Sequence, residues 1–345
     1  MKALVKFAKG PGNVGIREVS EPSPADNQVK LAVSYCGICG TDLHVYKDTF
    51  RNFPPVILGH EFCGRIVERG RGVSSVREGD RFTVLGASTV TCGHCVYCRQ
   101  GEFMFCPERR GMGHGVNGAF APYAVARPDQ LFKLPDNLPD DEASLCEPFA
   151  AAVRAVCELT HPRLGDVALI SGSGPIGLLC LKLLVAQGVK TIVLGTAQDK
   201  MRLEKAKQMG AAVVSNVTSQ DPLELVRSET DGFGADIVFE CAGAAASART
   251  CLEVARPLGS FTQVGHFGGN IELNFDRVAF KQLRVNGSVG YTAATWTRML
   301  KMLAAGNIHL ADMISHRLPL ENWEAGFAAC EDKSALKVLL EPKAN

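Results

Sequence analysis

The chain has 345 residues, 46% of them apolar and 21% charged, with a formal net charge of +1. That balance excludes a disordered chain, which needs fewer apolar residues and more net charge, and it offers no basic surface for nucleic acid or an anionic membrane. No apolar run reaches the roughly 18 residues of a membrane span. The N-terminal MKALVKFAKGPG is too short for a signal peptide, and 13 cysteines without an export signal point to thiolate metal sites in a cytoplasmic protein rather than to disulfides.

Residues 1 to about 150 carry short strand-like runs broken by Gly and Pro, at 2–7, 29–35, 62–67 and 81–85. They predict an irregular β-rich domain. The texture then changes. Residues 167–171 read as a buried strand, 176–186 as an apolar helix, 191–194 as a strand and 200–209 as a helix. Further strands are expected at 235–240, 260–264 and 284–289. Strands alternating with helices predict βαβ units on a parallel sheet. Helices at 296–304 and 321–329 and a strand at 336–340 close the chain. The pattern predicts an α/β protein in which a nucleotide-binding domain, residues 153–294, interrupts a β-rich domain made of residues 1–152 and 295–345.

Residues 92–106 read CGHCVYCRQGEFMFC, so Cys92, Cys95, Cys98 and Cys106 stand in the spacing Cys-x2-Cys-x2-Cys-x7-Cys. Four thiolates close a tetrahedron around zinc with every position filled, which marks a structural site. An iron–sulfur cluster is the competing reading. His94, inside this lobe, reads as a surface residue.

A second set of ligand types is open. Residues 36–44 read CGICGTDLH, Gly59-His60-Glu61 follows, and residues 145–148 read LCEP. A thiolate from Cys39, an imidazole from His60 and a carboxylate from Glu61 or Glu147 make a mixed site; Cys146 is the rival of Glu147. Three protein ligands leave a position for water or substrate, as catalytic zinc requires. Cys36 reads as a buried strand cysteine facing away. Asp42 is either the charge at a helix N-terminus or the group that orients His60. Thr41 and His44, one helical turn apart, are candidates to carry a substrate proton to solvent.

Residues 167–177 read VALISGSGPIG. Gly172, Gly174 and Gly177, with Pro175 and Ile176 between them, fit G-x-G-x-x-G after a strand and before a helix, where a pyrophosphate sits on the helix N-terminus. The acid expected about 20 residues on is missing. Gly195 and Thr196 end the second strand, Gly195 is expected to leave room beside it, and Asp199 is the nearby acid. Lys200 and Arg202 follow, with Arg202 a candidate cofactor residue; the arrangement tolerates a 2′-phosphate unless both side chains point along the helix into solvent, so NAD and NADP both stay open as cofactor. Cys241, Ala242, Val264 and Gly265 close later strands and are expected beside the nicotinamide half.

The ordered set CGICGTDLH, GHE, CGHCVYCRQGEFMFC, LCEP and SGSGPIG resembles the zinc-dependent medium-chain alcohol dehydrogenases over essentially the whole chain. The resemblance is strongest to their polyol (sorbitol or iditol) and threonine dehydrogenase branch. It implies a GroES-like β-rich catalytic domain, a doubly wound Rossmann domain with a parallel sheet, and an active site in the cleft between them. It further implies Cys39, His60 and a glutamate (Glu61 and Glu147 both stand at positions the family uses) as catalytic zinc ligands. Thr41 and His44 match its proton relay. Two zinc ions per chain and a homo-oligomer, most simply a tetramer pairing near residues 284–291, are expected with it. The expected reaction is oxidation of a secondary alcohol or polyol to a ketone, with threonine or another amino or sugar alcohol as the alternative substrate. Two features depart from the sorbitol pattern: Val45 stands where an aromatic residue follows the relay histidine, and Gly290-Tyr291 stands where an Arg-Tyr pair is usual.

Three other readings fit less well. A non-catalytic relative would have lost open-site ligands, a zinc-free reductase would lack both GHE and the cysteine lobe, and a zinc-ribbon nucleic-acid binder would carry a basic stripe.

Overall fold

The computed structural model describes residues 1–343 and divides into two compact units. The first comprises residues 1–147 and the chain from 291 onward; the second comprises 148–290.

The first unit is built on a seven-stranded, mostly antiparallel sheet. Its strands run in the order Ile314–Pro319, Lys337–Glu341, Val29–Gly37, Glu61–Arg69, Arg81–Val84 and Leu131–Lys133, with Tyr123–Ala126 also paired to Val29–Gly37. Val29, Leu31 and Val33 alternate into the core with Phe62, Ile66, Val338 and Leu340, the period of two that a half-buried strand imposes. A three-stranded sheet, Val14–Glu18, Lys2–Lys6 and Val56–Ile57, lies beside it in sequence.

Register positions the site. Gly37 pairs with Glu61 on one side and with Leu339 on the other. A side chain at 37 would overlap the Glu61 carboxylate, so this glycine makes the space that the carboxylate fills. The strand then turns into the helix Gly40–Tyr46, whose N-cap is Cys39.

The second unit is a six-stranded sheet in the order Val213–Asn216, Lys190–Gly195, Val167–Ser171, Ala235–Glu240, Ala255–Gln263, Arg284–Gly287, and every pairing is parallel. In chain order that is 3-2-1-4-5-6, the doubly wound dinucleotide-binding arrangement. Leu169, Ile192, Val238 and Phe261 meet in its core. The expected strand at 260–264 begins earlier, at Ala255. Helices Pro222–Glu229 and Ala245–Val254 and the helical stretch from Cys146 to Thr160 complete the connections. No helix among the described residues is long and apolar enough to cross a membrane.

Candidate functional site

The four lobe cysteines come together. The Sγ atoms of Cys92, Cys95, Cys98 and Cys106 all lie within 4.8 Å of one another. Those of Cys92 and Cys98 are 3.9 Å apart, close to the roughly 3.8 Å edge of a tetrahedron with zinc–sulfur bonds of about 2.3 Å and far from a disulfide. Backbone N–H groups of Cys92, Cys95 and Cys98 point at Cys106, Cys92 and Cys95 sulfurs at 3.3, 3.3 and 3.4 Å, the second layer of bonds that thiolate ligands take. Backbone N–H bonds from His94 and Cys95 pull the Cys92 thiol down to about 6, while burial pushes Cys98 up to about 12. The donor set therefore fits zinc. The exposed His94 ring is turned to the Cys92 carbonyl at 2.8 Å.

The second cluster joins Cys39, His60 and Glu61, whose ligand atoms also fall within 4.8 Å of one another. Asp42 ties its two segments together. One carboxylate oxygen accepts from the Cys39 N–H at 2.9 Å; the other accepts from the Gly59 N–H at 3.4 Å and faces His60 Nδ1 at 3.7 Å. Both roles considered for Asp42, helix capping and a place behind His60, thus fall to one buried side chain. Burial raises the Asp42 pKa. Burial alone would lower that of His60, but the charges of Asp42, Cys39 and Glu147 raise it well above its usual value. His60 Nδ1 is buried without a hydrogen-bond partner. A soft thiolate, an imidazole and a carboxylate around an under-satisfied buried ring suit zinc.

Glu147 reaches the same neighbourhood. Its Oε1 accepts a 2.8 Å bond from Tyr291 Oη, and burial raises both its carboxyl and the Tyr291 phenol above their ordinary ranges. Cys146 does not join the cluster; it is fully buried, bonds Thr83, and burial raises its thiol strongly. Cys36 is buried likewise, outside the cluster. Thr41 and His44 share a helix, but the exposed His44 ring bonds Thr49 Oγ1 at 3.0 Å rather than Thr41.

Two groups here escaped sequence reading. Lys337 is 2% exposed, donates to the Ile38 carbonyl at 2.8 Å and is bonded to the Glu61 carboxylate. The sequence signal was a lone lysine inside an apolar C-terminal strand. Arg109 is half-buried with its Nη1 on the Ala87 carbonyl at 2.7 Å, and no motif marked it.

In the second unit the glycine loop follows the strand Val167–Ser171. Gly172 has φ +112°, and a Cβ there would lie 2.6 Å from the Ala242 nitrogen; a Cβ on Gly177 would overlap the Gly172 carbonyl; Gly174 faces open space. The first and third glycines serve the turn and the packing, and the second leaves the approach to Pro175 and Ile176 at the N-terminus of helix Pro175–Ala186 clear for a phosphate. Cys241, Ala242, Val264 and Gly265 lie past the C-terminal ends of neighbouring strands, gathered by Glu240. The Glu240 carboxylate accepts from the Ala242 and Gly243 N–H groups at 3.0 Å each, and its backbone carbonyl accepts from the Val264 and Gly265 N–H groups at 2.9 and 2.8 Å. Glu240 is a further residue that sequence reading missed.

The end of the second strand is tightly packed. Gly195 leaves no spare room, because a Cβ there would meet Ser173, Asp199 and Leu203 at 3.0 to 3.1 Å. Arg202 does not point into solvent: it is 8% exposed and lies 3.9 Å from Asp199. Asp199 folds back and accepts from the Thr196 N–H at 2.9 Å and hydroxyl at 2.6 Å. A threonine with an acid three residues on closes such a turn reciprocally, as Thr196 and Asp199 do.

Residues 25–136 match the family model for the alcohol dehydrogenase GroES-like domain, and residues 175–305 match that for zinc-binding dehydrogenases. The chain is 37% identical to a sorbitol dehydrogenase of Halalkalibacterium halodurans, with 99% of each chain covered. It is 35% identical to a D-arabitol-phosphate dehydrogenase of Enterococcus avium, covering 99% of this chain and 97% of that one. A solved structure from Sinorhizobium meliloti, bound to NADP, superposes with a TM-score of 0.91 at 30% identity and 99% coverage of both chains. The chain belongs to the zinc-dependent medium-chain alcohol dehydrogenases, in their polyol and threonine dehydrogenase branch, and is an enzyme.

Proposed function

We propose that this enzyme oxidises a secondary alcohol of a polyol to the ketone, giving the carbinol hydride to NAD or NADP and the hydroxyl proton to solvent. The observation that carries it is the clustering of Cys39, His60 and Glu61 with Glu147 behind them. Cys39, His60 and Glu61 would hold zinc, which when bound acts as a Lewis acid toward the substrate hydroxyl. Cys92, Cys95, Cys98 and Cys106 would hold a second, structural zinc.

The remaining residues bind, orient and pass the proton. Asp42 fixes Cys39 and His60 relative to each other. Glu147, aligned by Tyr291, is placed to accept a bond from a substrate hydroxyl. Thr41 would accept the hydroxyl proton while handing its own to His44, whose exposed ring, bonded to Thr49 in this structure, turns to Thr41 for that step and then releases the proton to solvent. The glycine loop, Gly195, Thr196, Arg202 and the Cys241, Ala242, Val264 and Gly265 turns form the dinucleotide site. A cysteine-rich chain whose thiols serve metal sites favours the cytoplasm. The protein acts on a small molecule and assembles with copies of itself.

The experiment is a panel of sugar alcohols, vicinal diols and threonine with each cofactor, followed by nicotinamide absorbance. Oxidation of a polyol is expected. Turnover of threonine alone, or of no secondary alcohol by zinc-replete protein, would overturn the reading.

A further inference from the structure

Beside the Cys39 and His60 cluster stands a group of cations with no acid among them. Loop residues 50–53 and 109–114 meet through the Phe53 N–H, which bonds the His114 carbonyl at 2.9 Å. Arg51 and Arg110 both lie over the Phe53 ring, their guanidinium carbons 5.0 and 4.3 Å from its centroid. The His114 ring stands edge-on to Phe50 at 5.1 Å. Arg109 is half-buried on the Ala87 carbonyl. Among the described residues none of these three guanidinium groups pairs with a carboxylate.

The group sits next to the reacting centre. A Cβ on Gly113 would lie 3.0 Å from the nitrogen of Gly59, the residue before His60, so the loop that carries Arg109 and Arg110 packs on the turn of the metal cluster. Three guanidinium groups thus stand on two touching loops. Like charges so placed repel, and neither guanidinium over Phe53 has a carboxylate partner among the described residues. Such an arrangement persists when a ligand brings the missing charge. A phosphate monoester is close to a dianion at neutral pH, and guanidinium forks match its oxygens in pairs.

We propose that the substrate is a polyol bearing a terminal phosphate monoester, with the phosphate held by Arg51, Arg109 and Arg110 while a hydroxyl further along the chain is oxidised. The inference rests on the polyol reading above. The chemistry at carbon is unchanged: the carbinol C–H bond breaks, its hydride reduces the nicotinamide, the hydroxyl proton leaves to solvent, and the phosphate ester bond stays intact. Arg51, Arg109 and Arg110 determine specificity and take no part in hydride transfer.

The test compares kcat/KM for a pentitol or hexitol with that for its terminal phosphate, and with the matching sugar acid, in wild type, Arg109→Gln, Arg109→Lys and the exposed Arg51→Gln. Wild type is expected to favour the phosphate ester at least 10-fold over the neutral polyol. That ratio should fall at least 10-fold in Arg109→Gln, fall less in Arg51→Gln, and be partly restored in Arg109→Lys. Inorganic phosphate should raise the melting temperature of wild type more than that of Arg109→Gln. Turnover of the neutral polyol with a ratio near one and no arginine-dependent phosphate effect overturns this inference and leaves the polyol reading standing. A preference for the sugar acid overturns it too, as does an equal loss for both substrates in Arg109→Gln, which would mean that Arg109 only balances the neighbouring thiolate lobe. No turnover of any polyol overturns both readings.

Discussion

The ammonium group of Lys337 is bonded to the carboxylate of Glu61, and the two side chains are 3% and 1% exposed. The C-terminal strand thereby reaches into the open metal cluster and fixes one oxygen of its carboxylate. Burial lowers the Lys337 pKa, but the charge of Glu61 raises it and the net shift is upward, so the ammonium group stays charged. Removing one partner of a buried pair strands the other. Lys337→Met is expected to destabilise the protein by about 3–5 kcal/mol, and the further change Glu61→Gln should recover part of that loss. Denaturant unfolding of the single and double variants measures it; a loss below about 1 kcal/mol would mean that water reaches Glu61.

His114 gives a pH signature. Its pKa falls from about 6.5 in the unfolded chain to about 3 in the fold, mainly through burial. Between these values the unfolded chain takes up a proton that the fold refuses, so stability falls as pH falls, by at most about 1.4 kcal/mol per pH unit. In His114→Asn this contribution disappears. The stability gap between wild type and variant should therefore shift in favour of the variant between pH 6.5 and 4.5, and a gap independent of pH would show an ordinary His114.

Cofactor choice turns on Asp199. An NAD-selective pocket ends its second strand with an acid that bonds the ribose hydroxyls and repels a 2′-phosphate. Here the Asp199 carboxylate is engaged by Thr196 and faces Arg202. Weak discrimination is expected, with kcat/KM for NADP within about 10-fold of that for NAD. A preference for NAD above about 100-fold, roughly 2.7 kcal/mol, would show that Asp199 serves the ribose after all. The wild-type ratio is the measurement of choice, because Gly195→Asp would press on Ser173 and Asp199.

The strand Arg284–Gly287 ends the parallel sheet, paired on one side with Ala255–Gln263, and Val285 and Val289 are 42% and 44% exposed. An exposed edge with apolar side chains invites pairing with another copy. Light scattering should give a homo-oligomer, a tetramer in the simplest case, and Val285→Lys with Val289→Lys should lower its mass. A wild-type monomer at working concentration would contradict this.

Much of this was legible in the sequence because it is local. Gly172, Gly174 and Gly177 stand within six residues of one another, as the turn requires, and the lobe cysteines are spaced by the loop that folds around them. Strand Val167–Ser171 is apolar up to its final serine, and Ala235–Glu240 holds the apolar run Ile237 to Phe239, as buried parallel strands do. What was not legible depends on long-range pairing. Lys337 meets Glu61 across 276 residues through the register of Gly37, and no local pattern announces that. Glu240 reads as the end of a strand until the loops it gathers are seen. Arg202 sits at a helical position that sequence leaves free to face either way, and the folded-back Asp199 turns it inward. The helices Pro222–Glu229 and Ala245–Val254 are short, 8 and 10 residues, so their apolar period repeats only two or three times.

The most direct test of the two-site account is zinc content, measured by elemental analysis on protein purified without chelator. Wild type should hold two zinc ions per chain, one for each ligand set. Cys39→Ser should hold one, lose turnover and unfold near the wild-type temperature, because an open site contributes little to folding. Cys98→Ser should lose the lobe zinc and several degrees of melting temperature, since closed zinc sites supply folding free energy. A wild-type stoichiometry near one that is abolished by Cys98→Ser and untouched by Cys39→Ser would contradict the account.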